Sequence, residues 1–487
     1  MAFGTLAYFK DGFGRGTLPM FYVVGAVSGF SNGLSAGLDG NEFVPDAIER
    51  GAVAILSDQP YPANTDLTWL QVSDARLAMG LASASFYSNP SEDIPLVGVT
   101  GTNGKTTTVF LIHHLLKHTR HRAGLIGTIH YDTGDGLTEA PHTTPESPEV
   151  HRLLREMVDL ACQGAAMEVS SHGLAQHRVA GVAFDVGIFT NLSQDHLDYH
   201  RSMEAYFDAK ASLFEQLDGD RRKESRGLVN ADDRWGAQLL KRRFDRLEML
   251  SFGRSASADF RAESIRSDFN GTQFKLSFRE RSFLVKTPLI GAFNVYNSVA
   301  AIAAAWAVGL NLREVIAAMA DAPQVPGRLE RVGDRQTNFR VFVDYAHTPD
   351  ALINVIETLQ GLNPKRIITV FGCGGDRDIT KRAPMAKAAE AGSDICVLTS
   401  DNPRTEDPVQ ILNHAAEGFT RNTNLIIEDR ADAIREAISL AGEKDIVLIA
   451  GKGHEPYQEI NGVRHNFDDR LVATQAIRDR SEREVES

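Results

Sequence analysis

Ten consecutive residues, Gly98-Val99-Thr100-Gly101-Thr102-Asn103-Gly104-Lys105-Thr106-Thr107, have the types and spacing needed to hold phosphate. They stand between a continuous apolar run and a long helical pattern, the order strand, glycine-rich loop, helix. In such a loop the glycines let backbone N–H groups turn toward phosphate oxygens. The helix that follows presents its positive N-terminus, Lys105 reaches the outer phosphates, and Thr106 can bind Mg²⁺. Val99 occupies the place, five residues before Gly104, where the standard pattern has glycine, so the loop is a variant form. Gly101, Thr102, Asn103, Gly104, Lys105, Thr106 and Thr107 are the expected nucleotide loop, with Lys105 its catalytic cation.

A second loaded stretch, "DICVLTSDNPRTEDP" at 394–408, begins as an apolar strand and ends in a loop carrying Asp401, Asn402, Pro403 and Arg404. It is one of four such devices, the others being "RVFVDYAHTP", "RIITVFGCGGDRD" and "DIVLIAGKGHE". Continuous apolar strands separated by helix-length segments imply a parallel sheet covered on both faces, with ligands gathered at the strands' carboxyl ends. The four loops are therefore expected to meet.

The elements that must position these residues are those of an α/β protein of several domains, because 487 residues exceed what one core supports. Residues 1–93 read as a small α/β unit, in which "FVPDAIERGAVAILSD" is a short helix, a glycine turn and a strand, closed by the linker "SNPSEDIP". Residues 94–330 form the nucleotide domain and 331–487 the third, Rossmann-like domain. With 43% hydrophobic and 24% charged residues the composition is that of a soluble globular chain without a membrane-crossing run. Lys10 and Asp11 break the only apolar stretch near the start, so no export signal is expected and the site of action is cytoplasmic. Cys162, Cys373 and Cys396 are odd in number and widely spaced, which argues against a disulfide framework or a zinc site. A net charge of -13 speaks against a general nucleic-acid binder.

Across residues 39 to 475 the order "GTNGKTTT", "TTPES", "MEVSSHGLAQHR", "TNLSQDHLDYH", "YFDAKASLF", "GAFNVYNSVAA", "PGRLERV", "DYAHTPDAL", "GCGGDRD", "DNPR", "GKGHE" resembles the Mur ligases. The resemblance implies three domains: a UDP-sugar-binding unit, a central P-loop-type ATP domain and a carboxyl-terminal amino-acid-binding domain. It implies an ATP-dependent amide ligase of peptidoglycan synthesis, acting as a monomer. Such ligases phosphorylate a substrate carboxylate and let an amine attack the acyl phosphate. "GCGGDRD", "DNPR" and "GKGHE" together point to the step that adds meso-diaminopimelate to UDP-N-acetylmuramoyl-L-alanyl-D-glutamate.

Residue by residue, the resemblance implies Mg²⁺ held by Thr106, Glu168, His196 and Lys210. The matching lysine of the family carries a CO₂-derived carbamate, an oxygen ligand of the kind Mg²⁺ prefers. From periodicity alone Lys210 reads as a solvated residue of an amphipathic helix. His142, Thr143, Thr144, Ser170, Gln176 and Arg178 are implied for the nucleotide-sugar peptide, Arg178 reading otherwise as a surface ion pair. Asn294, Asn297, Arg328, Asp344 and His347 are implied on the nucleotide side, although Asn297 could cap a helix and Asp344 could end a strand. Cys373 has no accompanying base and reads as packing. Arg377, Asp401, Asn402, Pro403, Arg404, Gly451 and Glu455 are implied for the incoming amino acid. The planar fork of Arg404 can grip a carboxylate by two hydrogen bonds and repel the terminal cation of lysine. Its bland alternative is a surface pair with Glu406 or Asp407.

Residues 1–38 depart from the family pattern, so no uridine contact is carried over there. Competing readings are another ligase of the same fold, lysine-adding or folylpolyglutamate synthase-like, and a P-loop switch ATPase.

Overall fold

A computed structural model of the chain describes residues 6–8, 21–24, 40–60, 67–333 and 337–486. The departing stretch 1–38, and any uridine contact in it, lies outside these residues apart from two strands, Leu6–Tyr8 and Phe21–Val24. The chain forms two compact units. One runs to Ser264 and adds Phe274–Val285 and Val295–Asp321; the other comprises Ile265–Gln273, Lys286–Asn294 and Ala322–Ser487.

The first unit opens with a four-stranded sheet in the order Leu6–Tyr8, Phe21–Val24, Ala54–Ser57, Thr68–Gln71, antiparallel at the first pairing and parallel after it. The expected helix is Val44–Glu49, and Gly51, at φ +92°, turns the chain into the strand Ala54–Ser57. Its larger sheet has a parallel centre, Glu248–Gly253, Arg226–Asn230, Val186–Phe189, Leu96–Thr100, Ala165–Glu168 and Gly124–Ile126, in that spatial order. Every residue of Leu96–Thr100, Ala165–Glu168 and Val186–Phe189 is buried, as strands covered on both faces require. These three strands are neighbours, so Gly101, Glu168 and Thr190 lie together at their carboxyl ends.

Helix Met203–Gly219 starts where the Ser202 side chain accepts from Ala205 N, and it buries Tyr206, Phe207, Lys210, Ala211, Leu213, Phe214 and Leu217. That spacing is one helical stripe. Phe207 and Phe214 pack into a core with Met167, Phe189 and Trp235, where truncating a phenylalanine to alanine costs about 3–5 kcal/mol. Lys210 lies on this buried stripe with 1% exposure, which corrects the reading of a solvated lysine. Periodicity failed because a charged residue was assigned to the outer face by type alone.

In the second unit six strands run in the order Glu330–Val332, Arg340–Asp344, Ile446–Ala450, Ile367–Cys373, Ile395–Ser400, Leu425–Ile426, parallel throughout except for the first pairing. The four apolar strands read from the sequence are thus adjacent and parallel. Alternate residues face opposite cores: Phe342, Phe371, Leu398 and Leu448 on one side, Val341, Val370, Val397 and Ile449 on the other. Cys373 and Cys396 belong to the first of these cores. Cys373 Sγ sits 3.9 Å from Met385 Sδ, and burial pushes its thiol up to about 12, in keeping with a packing role.

Candidate functional site

The glycine-rich loop 98–107 of the first unit takes backbone conformations that call for glycine. Gly101 (φ +148°) and Gly104 (φ +86°) adopt conformations that side chains rarely take, and a Cβ on them would meet Thr190 Oγ1 at 1.9 Å and Asn297 Oδ1 at 2.4 Å. The loop is stapled to "TNLS": Asn103 N donates to Asn191 Oδ1 (3.0 Å), Thr190 Oγ1 donates to Asn103 O (2.6 Å), and Ser193 N donates to Thr102 Oγ1 (3.1 Å). Helix Lys105–Arg120 begins at Gly104, and both Thr106 and Thr107 are buried in its first turn. Lys105 Nζ donates to the carbonyls of Gly101 and Thr102, each at 2.9 Å. Asn297 lies inside helix Ala292–Ala307, not at a cap, and its Oδ1 accepts from Thr108 Oγ1 at 3.4 Å.

Thr106 Oγ1 donates to Glu168 Oε2 at 3.1 Å, and Glu168, fully buried, also accepts from Thr128 N (2.7 Å) and Thr128 Oγ1 (3.1 Å). Among the described residues no group of three or more His, Cys, Asp or Glu converges to hold a metal. The donors that do gather, a hydroxyl and a carboxylate at the phosphate loop, are the hard oxygens Mg²⁺ takes. His196 (φ +52°) precedes the short helix Leu197–His200 and meets His172 edge-on at 4.9 Å. Lys210 Nζ donates to Gly101 O at 2.9 Å and stands 4.5 Å from the centre of the Tyr206 ring. Burial, and then the charge of Lys105, hold its ammonium well below the usual lysine range.

Of the residues implied for the nucleotide-sugar peptide, all but His142 form one hydrogen-bonded group beside Glu168. Thr143 Oγ1 lies 3.1 Å from Thr128 Oγ1, Thr144 Oγ1 donates to Glu168 O (2.9 Å), and Ser170 N donates to Thr144 Oγ1 (3.0 Å). Arg178 donates to Thr144 O (2.8 Å) and Gln176 Oε1 (2.9 Å) and pairs with Glu146 at 2.8 Å, so it is knit into the group instead of making a lone surface pair. The His142 side chain is exposed, and only its carbonyl is engaged, by Tyr131 OH at 2.6 Å. Arg76, overlooked in the sequence, reaches the same Glu146 at 3.5 Å from helix Ala75–Phe86.

In the second unit the loops do meet. Asp344 closes its strand with Oδ2 accepting from Leu329 N (2.6 Å) and Oδ1 from Ala346 N (2.8 Å), and burial pushes its carboxyl up to about 6. Arg328 lies 4.9 Å from the Tyr345 ring centre, and His347 Nδ1 contacts Tyr345 O at 2.8 Å. Asn294 Nδ2 donates to Ile290 O at 2.8 Å. Gly451 N donates to Asp344 O (3.1 Å), and a Cβ on Gly451 would strike Asp401 Oδ2 at 2.6 Å.

Asp401 Oδ1 accepts from Asn402 N (2.7 Å), and Asn402 Nδ2 donates to Glu455 Oε2 (2.8 Å). Pro403 O accepts from Glu406 N at 3.0 Å, closing the turn. Arg404 (φ +53°) donates from a terminal nitrogen to Gly375 O at 2.7 Å. The surface pairing considered for it is not made: Glu406 is taken by Arg382, which donates to both its oxygens at 2.8 Å, and Asp407 caps helix Pro408–Ala416 through Val409 N. Arg377 stands beside Arg404, a Cβ on Gly374 lying 3.7 Å from Arg377 Cγ and 2.9 Å from Arg404 Nη1, and burial, then the Arg404 charge, works against its own charge.

Two buried cations here escaped the sequence reading. Lys452 Nζ donates to Asn402 Oδ1 (2.9 Å) and lies 3.3 Å from Glu455 Oε2. Arg430 forms a fully buried two-pronged pair with Asp469, both bonds at 2.7 Å, and also donates to Ser400 O (3.3 Å) and Ala450 O (3.0 Å). It therefore ties together the ends of two strands that are not neighbours in the sheet. Flanking glycines in "GKGHE" were the only available signal for Lys452, and nothing local marked Arg430.

Comparison with known proteins matches residues 99–305 to the Mur ligase middle domain and 327–453 to the Mur ligase glutamate ligase domain. The chain is 46% identical over 442 residues to the UDP-N-acetylmuramoyl-L-alanyl-D-glutamate--2,6-diaminopimelate ligase of Solibacter usitatus, covering 90% of this chain and 88% of that protein. It is 45% identical over 447 residues to the protein of the same name from Geobacillus kaustophilus, covering 91% and 90%. A solved structure of a ligase of that name superposes with a TM-score of 0.68 at 36% identity, covering 91% of this chain and 90% of the other. Folylpolyglutamate synthase of Mycobacterium tuberculosis, solved with ADP and AMPPCP, shares the fold at 20% identity, with a TM-score of 0.62 over 77% of this chain and 92% of the other.

Proposed function

Because the chain belongs to the Mur ligase family, we propose that it is the ATP-dependent ligase that joins meso-diaminopimelate to the D-glutamate γ-carboxylate of UDP-N-acetylmuramoyl-L-alanyl-D-glutamate, in peptidoglycan synthesis. The substrate carboxylate attacks the terminal phosphorus of ATP and releases ADP. The amine of the incoming amino acid then attacks the acyl phosphate, giving the amide and phosphate. Bringing a carboxylate to a polyphosphate sets anions against anions, so cations must offset the repulsion.

Lys105 supplies one such cation at the loop. Thr106, Glu168, His196 and a carbamylated Lys210 would hold Mg²⁺, which when bound neutralises phosphate charge. The hydroxyl and carboxylate already paired at 3.1 Å fit that ion, and the depressed ammonium of Lys210 fits carbamylation, since CO₂ reacts with the neutral amine. His142, Thr143, Thr144, Ser170, Gln176 and Arg178 take the nucleotide-sugar peptide. Asn294, Asn297, Arg328, Asp344 and His347 take the nucleotide. We assign residues 1–93 to the UDP-sugar, 94–330 to ATP and 331–487 to the amino acid. We also propose that the reaction takes place in the cytoplasm and that the protein acts as a monomer.

The observation that carries the amino-acid assignment is Arg404, left to the loop cluster because Arg382 and a helix end have taken its acidic neighbours. Arg404 and Arg377 offer guanidinium to carboxylate, while Asp401, Asn402, Pro403, Gly451 and Glu455 shape the rest. Incubation with ATP and the UDP-muramoyl-dipeptide, a panel of amino acids, and weighing of the products tests it. A product with lysine or glutamate would favour a sibling ligase, and phosphate release without acceptor or amine would favour a switch ATPase.

A further inference from the structure

We propose that Lys452 is a positioning residue that sets the amino-acid pocket to take a zwitterionic end group and to refuse a bare ammonium; this rests on the assignment of that pocket to the incoming amino acid. Lys452 has 0% exposure, so its ammonium is removed from water, and such a charge persists only where fixed partners replace the solvent. Those partners are Asn402 Oδ1 at 2.9 Å and Glu455 Oε2 at 3.3 Å, both on residues of the pocket.

Two orientations follow. Asn402 Oδ1 receives Lys452 Nζ and also Glu459 N at 2.9 Å, so the amide carbonyl is turned to that side and its Nδ2 must face Glu455, where it donates at 2.8 Å. Both donors to Glu455 land on Oε2. Oε1 takes part in no hydrogen bond among the described residues, which leaves one carboxylate oxygen directed to other business. Opposite it in chemical character stand Arg377 and Arg404, whose side chains both border Gly374. One accepting oxygen with two guanidinium groups complements an ammonium beside a carboxylate, the end of an amino acid. Lys452 is the third cation, and it keeps this lining from becoming attractive to a lone positive charge.

The test uses the full-length enzyme with Lys452→Met, which keeps the stem and removes the charge. Melting temperature first establishes that the variant is folded. The KM for meso-diaminopimelate should then rise about tenfold or more, and the preference for meso-diaminopimelate over L-lysine should fall by a similar factor, while the KM values for ATP and for the UDP-muramoyl-dipeptide stay as in wild type. In an Asn402→Ala background the further effect of Lys452→Met should shrink, because the shared partner is gone. A folded Lys452→Met enzyme with unchanged diaminopimelate KM and unchanged preference overturns the proposal. So does a uniform rise in all three KM values, which marks a general packing role. If the methionine variant does not fold, Lys452→Gln, which still donates to Asn402 Oδ1 without a charge, should lose preference with a smaller change in KM; an unaltered preference there overturns the proposal equally. Wild-type enzyme that does not ligate diaminopimelate at all removes the underlying assignment and this proposal together, an outcome visible before any variant is measured.

Discussion

The side-chain nitrogens of Lys105 and Lys210 donate to the same oxygen, the carbonyl of Gly101, each at 2.9 Å. Lys105 comes from the first residue of the loop's own helix, Lys210 from the buried stripe of a helix far along the chain. Two ammonium groups sharing one acceptor repel one another, and the buried member is the one whose proton is held less tightly.

This relationship fixes the sign of a pH effect. In the folded chain, burial and the Lys105 charge hold the Lys210 ammonium well below the 10.5 of a free lysine, whereas the unfolded chain keeps its proton up to that value. Between the lowered folded value and 10.5 the unfolded state therefore binds the extra proton, and stability from this group rises as pH climbs through that window. In CO₂-depleted buffer Lys210→Met should melt about 2 °C or more above wild type at neutral pH, and its melting temperature should rise less steeply between neutrality and pH 10. Thermal scans across that range check it, and a lower melting temperature for the variant would contradict it.

Lys210→Ala should lose more activity than the roughly 10–100-fold typical of removing an outer partner of a metal site. Added formate or acetate should restore part of it, because a small carboxylate can stand where the carbamate oxygens would. Rates with and without these salts, against chloride as control, decide the point; absence of rescue counts against the carbamate.

For Lys105→Ala we expect turnover to fall about 10²–10³-fold with the fold intact. The two loop carbonyls to which the side chain donates belong to the loop itself, so circular dichroism and melting should stay near wild type. Normal turnover would remove Lys105 from the chemistry.

Arg404→Ala should reduce discrimination between meso-diaminopimelate and L-lysine by about 2–5 kcal/mol, the range for breaking a buried charge pair, mostly through weaker use of diaminopimelate. Direct competition between the two amino acids measures this. A preference unchanged by the substitution would return Arg404 to a structural role.

Asp132 carries an acid-stability prediction. Burial alone would raise its carboxyl, but the His113 ring, 3.2 Å away, and the backbone N–H groups of Gly134 and Gly136 outweigh burial and hold it at about 2, below the 3.8 of a free aspartate. Its stabilising contribution is present above pH 3.8 and is lost as pH falls through 2. Asp132→Asn should therefore destabilise the protein by on the order of 2 kcal/mol at neutral pH and converge with wild type in strong acid. Denaturant titrations at pH 7 and near pH 2 test both halves.

Much of this was legible in the residues themselves. The glycine-rich loop of 98–107 announces itself because holding phosphate would need glycines and a lysine at close positions, and the four sheet-edge loops because each follows an uninterrupted apolar strand. What stayed hidden depends on partners distant in sequence. Lys210 reads as a surface residue until the Gly101 carbonyl, more than a hundred positions earlier, is brought to it. Thr190 and Asn191 pass as ordinary polar residues until Asn103 is laid against them. Arg76 and Arg178 share Glu146 only after a helix and a loop are packed together. The reading of Arg404 needed the structure for a different reason: an arginine near two acids is ambiguous until those acids are seen committed elsewhere.

Arg430 lies across the carboxyl ends of Ile395–Ser400 and Ile446–Ala450, with Ile367–Cys373 running between them. Backbone pairing sets the distance between touching strands, but the gap between next-nearest strands also varies with sheet twist, and here a guanidinium locked by Asp469 acts as its gauge. The loops that begin at Asp401 and Gly451 are thus hung from a calliper of fixed opening. Anyone transplanting a differently lettered "DNPR" segment to accept a bulkier or slimmer amino acid would inherit that opening unaltered. A change of width has to be made one layer down, at positions 430 and 469, before new letters in the loop can find room.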